Sequence, residues 1–279
     1  MKNILLPTDF SENSWNAIKY AINFFETVKC NFYLFHVNKL SSIVIDESTA
    51  IAAEDVIYDF YTKPAKHKLR DILKRIAKKT TPTNHRFYTL TDYNFFIESI
   101  RTCVEEKKID FIVMGTKGAS GLKKKIIGSN TGDVITKVKC KTLAVPENAQ
   151  FTKPQEIAFP TDFQLSYNLQ ILDPISEILE NHNAAIRIVH INKKKDDLNK
   201  DQIKNQELLE DYFIRHKHSL HFLSNKKVED AVQCFVESRD IDIICMVAKN
   251  LNYFQKILFH SKVEEISYHT DVPFLVLHE

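Results

Sequence analysis

The chain has 279 residues, the length of about two ordinary domains and enough to bury two hydrophobic cores. Hydrophobic residues make up 44% and charged residues 27%, which is the balance of a globular protein. The net charge of only +2 argues against nucleic acid or a membrane surface as a partner.

Short β-rich runs alternate with helical patterns along the first half. The runs predict strands at 4–6, 32–37, 86–90, 111–114 and 143–145, and the helical spacing predicts helices after Ser11, over about 52–78, around 96–104 and over 133–138. This alternation predicts a doubly wound parallel α/β sheet with helices on both faces. Such sheets bind ligands beyond the carboxyl ends of their strands, where the loops after Leu6, Val37 and Met114 should meet.

The sequence also contains an internal repeat. The heptapeptide ILLPTDF at 4–10 recurs as IAFPTDF at 157–163, an offset of 153 residues. His36 matches His190 at a similar offset, but the later matches, such as Asp110 with Asp242, are 132 residues apart. The first half therefore carries an insertion of about 21 residues, for which Ser41–Tyr61 is the candidate. We predict two tandem domains of the same fold, residues 1–148 and 149–279, with the boundary near 147–154.

The glycines are confined to one short stretch. All five lie within the 18 residues from Gly115 to Gly132, and the second half has none. Glycine lets a ligand approach the backbone, and the amides of such a loop form an anion-binding concavity. The segment 128–131 (Gly-Ser-Asn-Thr) then opens a helix, whose free N–H groups favour phosphate. The alternative interpretation is a glycine-rich turn that binds no ligand. A single glycine would favour this alternative, but the cluster of five glycines does not.

The glycine stretch resembles a known motif. Met114-Gly115-Thr116-Lys117-Gly118, followed nine residues later by Gly128-Ser129, resembles the G-x2-G-x9-G-S/T signature of the universal stress protein family. The segments 7–11 and 36–37 resemble the ends of that family's first and second strands. The resemblance extends over both halves and implies a tandem form with two Rossmann-like, adenine-nucleotide-binding folds.

The resemblance implies that ATP is the ligand. The residues that it assigns to the nucleotide are Pro7, Thr8, Asp9, Val37, Met114, Gly115, Lys117, Gly118, Gly128, Ser129, Asn130 and Thr131. In this scheme Asp9 and the backbone of Val37 read the base, 114–115 line the ribose, and Gly118 with 128–131 hold the phosphates. A triphosphate usually carries Mg²⁺, although no carboxylate is evidently placed to hold one.

Several of these residues have other interpretations. Asp9 could be a helix-capping carboxylate, and its repetition as Asp162 in a half without glycines strengthens that interpretation. Lys123–Lys125 could attract phosphate or be solvated surface. The histidines at 216, 218 and 221 align with a strand, which favours a structural role over a metal site.

The second half has lost most of the motif. At the offset of 132 residues, the replacements are Gly115 by Val247, Gly118 by Asn250, Gly128 by His260, Thr131 by Val263 and Gly132 by Glu264. The sequence therefore predicts one nucleotide per chain, in the first half. We expect a regulatory or stress-response ATP-binding protein with an unknown protein partner. A slow ATPase is one alternative. The motif supplies no positioned general base, although the insertion near Asp46 and Glu47 could supply one, and the carboxylates of Asp9 and Asp110 belong near the adenine and in the fourth strand. A scaffold that binds no nucleotide is the other.

Two further expectations concern assembly and location. The last strands of the halves, Thr142–Val145 and Phe274–Leu277, are apolar and should pair as an intramolecular pseudo-dimer, with a further homodimer left open. The five cysteines are widely spaced, which predicts buried thiols in a reducing cytoplasm rather than a disulfide framework or a zinc site. The absence of a signal-peptide pattern and of an 18-residue apolar stretch also predicts a cytoplasmic location.

Overall fold

The structure is a computed structural model that describes residues 1–38, 54–78, 83–116, 129–192, 197–225, 227–250 and 271–278. Within the helix that follows the second strand, only the backbone of residues 54–61 is described. Residues 41–53 of the proposed insertion, the lysine run 123–125, and three site candidates, Lys117, Gly118 and Gly128, lie outside the described residues. In the described ranges, no helix is long and apolar enough to cross a membrane.

The first half alternates strands and helices as its sequence predicts. Its strands are β1 (Lys2–Pro7), β2 (Cys30–Asn38), β3 (His85–Tyr93), β4 (Phe111–Gly115) and β5 (Lys141–Val145). Its helices are α1 (Glu12–Phe24), α2 (Glu54–Ala77), α3 (Phe96–Glu106) and α4 (Ser129–Lys137). The helix α1 begins where predicted, because the Ser11 side chain accepts a hydrogen bond from the Ser14 amide.

The second half repeats this alternation. Its strands are β6 (Glu156–Thr161), β7 (Ala185–Asn192), β8 (His218–Ser224), β9 (Ile243–Val247) and β10 (Phe274–Leu277). Its helices are α5 (Leu169–His182), α6 (Lys200–Phe213) and α7 (Val228–Ser238). A short 3₁₀ turn at Ala248–Asn250 follows β9, where the motif residues of the first half would be.

The described strands form one sheet of ten, in the order β3-β2-β1-β4-β5-β10-β9-β6-β7-β8. Neighbouring strands within each half are parallel, as the sequence predicts. The two halves meet where β5 and β10 pair antiparallel, with Leu143 opposite Leu275. The expected pairing of the last strands is therefore confirmed, and it places both strands in the middle of the sheet.

One hydrophobic core runs along a face of the sheet through both halves. It includes Ile4 and Phe111 from the first half and Ile157 and Leu275 from the second, and none of these is more than 1% exposed. The helices α1 and α5 contribute to this same core. A ring contact joins the two helices directly, because the ring centroids of Phe24 in α1 and His182 in α5 are 4.8 Å apart. The opposite face carries two clusters. One contains first-half residues only, and the other joins second-half residues to Ile135 and Ala144 of the first half.

Candidate functional site

The turn after β1 is held by hydroxyl groups. The Thr8 hydroxyl lies 2.9 Å from that of Ser14, which donates to the Ser11 carbonyl at 2.9 Å. The Thr8 hydroxyl also accepts the Phe10 amide at 3.0 Å. These bonds fix the path of the chain from the buried strand into α1. Ser14, which the motif comparison did not single out, is therefore a structural member of the site together with Ser11. The spacing of the two serines before an apolar helix was the available signal.

Asp9 orients the residue that caps α1. Its Oδ1 accepts hydrogen bonds from the Ser11 amide at 3.0 Å and from the Ser11 hydroxyl at 2.5 Å. Ser11 is the N-cap residue, so the carboxylate supports the cap but is not itself the cap. Asp162 accepts a hydrogen bond from the Gln164 amide at 3.0 Å in the same way. Accepting the amide two residues later is therefore a property of the turn that does not depend on a ligand. Asp9 is exposed at the rim of the strand ends.

Phe10 and His36 lock this turn against the second strand. Phe10 has a φ of 67°, an unusual conformation for a large side chain, and its ring lies 4.4 Å from the His36 ring. His36 Nδ1 is 2.7 Å from the Thr8 carbonyl oxygen, to which it must donate. Burial lowers the pKa of His36, which favours the neutral ring. Val37, the next residue of β2, is thereby placed beside the turn.

The end of β4 meets α1 and α4 at Gly115. A Cβ at Gly115 would lie 2.7 Å from Asn13 Nδ2, closer than real contacts allow. The Thr131 hydroxyl donates to the Gly115 carbonyl at 2.7 Å, and Thr131 is only 3% exposed. The packing of Asn13 therefore favours glycine at 115. The Thr131 side chain ties α4 to β4, and its hydroxyl hydrogen is not free for a phosphate oxygen.

The described site candidates thus converge at one edge of the sheet. Pro7 ends β1 and is followed by Thr8 and Asp9, and Val37 is the next-to-last residue of β2. Met114 and Gly115 end β4, and Ser129 to Thr131 open α4. Met114 is 6% exposed and lies mainly within the core, whereas Ser129 and Asn130 are exposed at the start of α4. The N–H groups of that first turn have no partners within the helix, which suits an anion.

The second half repeats the locked turn. Phe163 has a φ of 57°, and its ring stacks on that of His190 at 5.0 Å. His190 Nδ1 lies 3.1 Å from the Thr161 carbonyl oxygen, as His36 lies from that of Thr8. A turn that recurs without the glycine motif is a property of the fold. The histidine and the left-handed phenylalanine therefore do not identify a ligand site by themselves.

The two halves differ in where the helix after this turn begins and in the side chains that pack against the turn. By the 153-residue offset α5 should begin near Gln164, but its N-cap is Asn168, so the first helical turn is unwound. The Tyr167 hydroxyl takes the place of Ser14 and bonds Thr161, and Tyr167 is 5% exposed. Val247 is buried at the position of Gly115. The turn after β6 is therefore packed differently from the turn after β1.

Side chains of α6 also close over the second turn. Gln202 Nε2 donates to the Asp162 carbonyl at 2.8 Å, and Asn205 Nδ2 donates to the Phe163 carbonyl at 2.8 Å. Two backbone acceptors at the strand end are therefore satisfied by the protein. The replaced residues His260, Val263 and Glu264 lie outside the described residues.

Two sequence expectations need correction. Asp110 precedes β4 rather than lying in it, and its carboxylate accepts the Asn3 amide at 2.8 Å at the amino end of the strands, away from the site. Asp242 does the same for the Glu156 amide at 2.9 Å. The cysteines are not all buried, because Cys234 on α7 is exposed to solvent.

The strand order and a site at the carboxyl strand ends define a doubly wound, Rossmann-like α/β protein. A sequence model of the universal stress protein family matches residues 1–146, slightly more than half of the chain. The chain therefore belongs to the universal stress protein family.

Two universal stress proteins of Methanocaldococcus jannaschii are similar to the first half. One is 30% identical over 144 residues, which cover 52% of this chain and 81% of that protein. The other is 28% identical over 153 residues, which cover 52% of this chain and 94% of that protein. The crystal structure of a universal stress protein from Archaeoglobus fulgidus covers 99% of this chain and 96% of its own, with a TM-score of 0.68 at 20% identity. That likeness shows that the fold extends over both halves.

Proposed function

We propose that the chain is an ATP-binding regulatory protein of the stress response that holds one nucleotide, at the carboxyl ends of β1, β2 and β4. One observation carries the proposal. The two halves share the locked turn, but Tyr167 and Val247 stand in the second half where the first half has Ser14 and Gly115. The sequence also retains the glycine motif only in the first half, after β4.

The described residues divide into two ends of a binding site. Asp9 is exposed with its carboxylate oriented by Ser11, so it can accept hydrogen bonds from a base. Ser129 and Asn130 are exposed at the start of α4, where helix amides and the helix dipole attract phosphate oxygens. The β1 and β2 ends therefore suit the base, and the β4–α4 junction suits the phosphates. If Mg²⁺ accompanies ATP, it would be held mainly by the phosphates.

We also propose that hydrolysis is slow. Amides and hydroxyls that bind phosphate equally well in ground and transition states do not accelerate chemistry. Two carboxylates near these strand ends already have partners, Asp9 with Ser11 and Asp92 with Ser99 at 2.6 Å. Phosphate release at roughly 1 per second or more with saturating Mg²⁺–ATP, abolished in a Gly128→Val variant, would establish the ATPase alternative instead.

The test of the binding proposal is the number of nucleotides per chain. Calorimetry with ATP should give one site, and Gly118→Val or Gly128→Val should abolish binding because a branched side chain enters the phosphate space. The matched second-half variants, Asn250→Val and His260→Val, should bind as wild type does. Two sites per chain, or none, would contradict the proposal.

The identity of the ligand is tested separately. Mass spectrometry of the nucleotide released from the purified protein should find ATP. A related universal stress protein has been solved in complex with cAMP, but at a TM-score of 0.38 that likeness does not decide the ligand here. ADP, AMP and cAMP therefore serve as competitors whose affinities are compared with that of ATP.

The remaining parts of the proposal concern organisation and location. We propose domains at 1–148 and 149–279, which the continuous core and the β5–β10 pairing hold as one pseudo-dimer. We also propose a cytoplasmic location, which the free cysteines support because extracellular domains usually pair them. A protein partner that responds to nucleotide occupancy would be sought by comparing proteins captured by wild type and by Gly128→Val.

A further inference from the structure

Thr62 of α2 has a buried hydroxyl that finds no hydrogen-bond partner among the described residues. The residue is 0% exposed, and its Oγ1 makes no hydrogen bond within the part of the chain that the structure describes. A threonine within a helix can usually bond the carbonyl one turn earlier, but Thr62 does not. An unpaired buried hydroxyl lowers the stability of the fold, so its retention calls for an explanation.

The position of Thr62 along α2 places it beyond the strand ends. Because β2 and β3 are parallel, α2 runs back from the carboxyl end of the sheet to the amino end. Lys68 Nζ lies 5.1 Å from the centroid of the Phe10 ring, so this part of α2 is level with the turn after β1. Thr62 is six residues nearer the start of the helix, about 9 Å further toward the ligand side at 1.5 Å per residue.

A second contact also places Thr62 toward the carboxyl ends of the strands. The Arg75 guanidinium lies 4.2 Å from the Trp15 ring, which ties the last turns of α2 to the first turns of α1. The thirteen residues from Arg75 back to Thr62 span about 20 Å, whereas only four residues separate Trp15 from the cap at Ser11. Thr62 therefore lies past the start of α1, on the side where doubly wound sheets bind ligands.

Thr62 also lies on the face of α2 that packs on the sheet. The residues on this buried stripe are Thr62, Ala65, Leu69, Ile72 and Ile76, all at most 7% exposed. The stripe begins with a hydroxyl and continues with apolar side chains. The polar member is thus the one nearest the ligand side.

We infer that the Thr62 hydroxyl hydrogen-bonds the base of the bound nucleotide and contributes to the preference for adenine. This inference rests on the proposed function. It assigns the base end because α2 packs on β2 and β3, whereas the phosphate residues lie at β4 and α4, on the other side of β1. A hydroxyl both donates and accepts, which suits a base edge that presents both kinds of group.

Thr62→Val is the direct test, because it removes the hydroxyl and keeps the shape. Without nucleotide the variant should melt about 2–4 °C higher than wild type, since an unpaired buried group is gone. With ATP its Kd should rise about tenfold, and its preference for ATP over GTP should fall. Thr62→Ser, which keeps the hydroxyl, should retain most of the affinity and the base preference.

Thr142→Val is the matched control. Thr142 is also 0% exposed, but its hydroxyl donates to the Cys140 carbonyl at 3.0 Å. This variant should melt lower than wild type and bind ATP with unchanged Kd. A hydroxyl with a purely structural role would behave like Thr142, with lower stability and unchanged affinity.

The possible results separate this inference from the proposal beneath it. If Thr62→Val binds ATP as tightly as wild type, or melts lower than wild type without nucleotide, the inference is overturned and the proposed function stands. If the wild-type protein binds no adenine nucleotide, the proposed function fails and the inference fails with it.

Discussion

Replacing Gly115 by alanine tests whether packing, rather than a ligand, requires glycine at the end of β4. The added Cβ would lie 2.7 Å from Asn13 Nδ2 and 2.8 Å from Cγ and Oδ1. The backbone of Gly115 is not left-handed, so the cost is steric. Asn13 is 7% exposed and cannot swing into solvent without opening the start of α1. Overpacking of this kind costs about 2 kcal/mol, a decrease in Tm of roughly 4–8 °C.

The assay is thermal or urea unfolding of four proteins without nucleotide: wild type, Gly115→Ala, Asn13→Ala and the double variant. Shortening Asn13 makes room for the Cβ, so the double variant should be more stable than the sum of the single effects by about 1–2 kcal/mol. The steric explanation is wrong if the stability changes of the two single variants add up to that of the double variant, or if Gly115→Ala melts at the same temperature as wild type. Glycine at 115 would then be attributable to the nucleotide.

Two further predictions follow from exposure and burial. An aqueous thiol reagent should rapidly modify only Cys234 in the native protein, because the side chains of the other four cysteines are buried. The Cys234→Ser variant should therefore lose the rapid reaction. A second rapidly reacting cysteine would contradict the burial of the other four. Burial, together with nearby Lys139, lowers the pKa of His278 to about 4. The unfolded chain therefore takes up a proton near pH 6.5 that the folded chain resists, and stability should fall as the pH drops from about 6.5 toward 4. His278→Gln should flatten this dependence in thermal melts between pH 7 and 5, and an unchanged slope would show that His278 is not responsible.

Much of the site could be predicted from sequence because its signals are local. The PTDF turns were found as a repeat, and both adopt the same left-handed phenylalanine at Phe10 and Phe163. Ser11 was predicted to cap α1 and does so. The assignment of the phosphate residues Lys117, Gly118 and Gly128 stays a prediction, since they lie outside the described residues.

Other parts of the site depend on contacts that no spacing rule contains. The hydroxyl of Thr131 was assigned to phosphate, but the strand end at Gly115 accepts its hydrogen. The role of Asn13 could not be read from α1 alone, because it arises from the close approach of β4. Asp110 was placed in the fourth strand, whereas it precedes that strand and its carboxylate accepts the amide of Asn3, the second residue of β1.

The sequence by itself determined the fold class, the duplication and the asymmetry between the halves. Alternating periodicities specify strands and helices locally, and a glycine can be counted without knowing what surrounds it. Only the tertiary structure decided that β5 and β10 join the halves antiparallel and that α1 and α5 share one core. It also decided that the Tyr167 hydroxyl takes the place of the Ser14 hydroxyl and that α5 begins four residues later than the repeat predicts. These features depend on how residues that are far apart in the sequence pack against one another, and local sequence patterns do not contain that information.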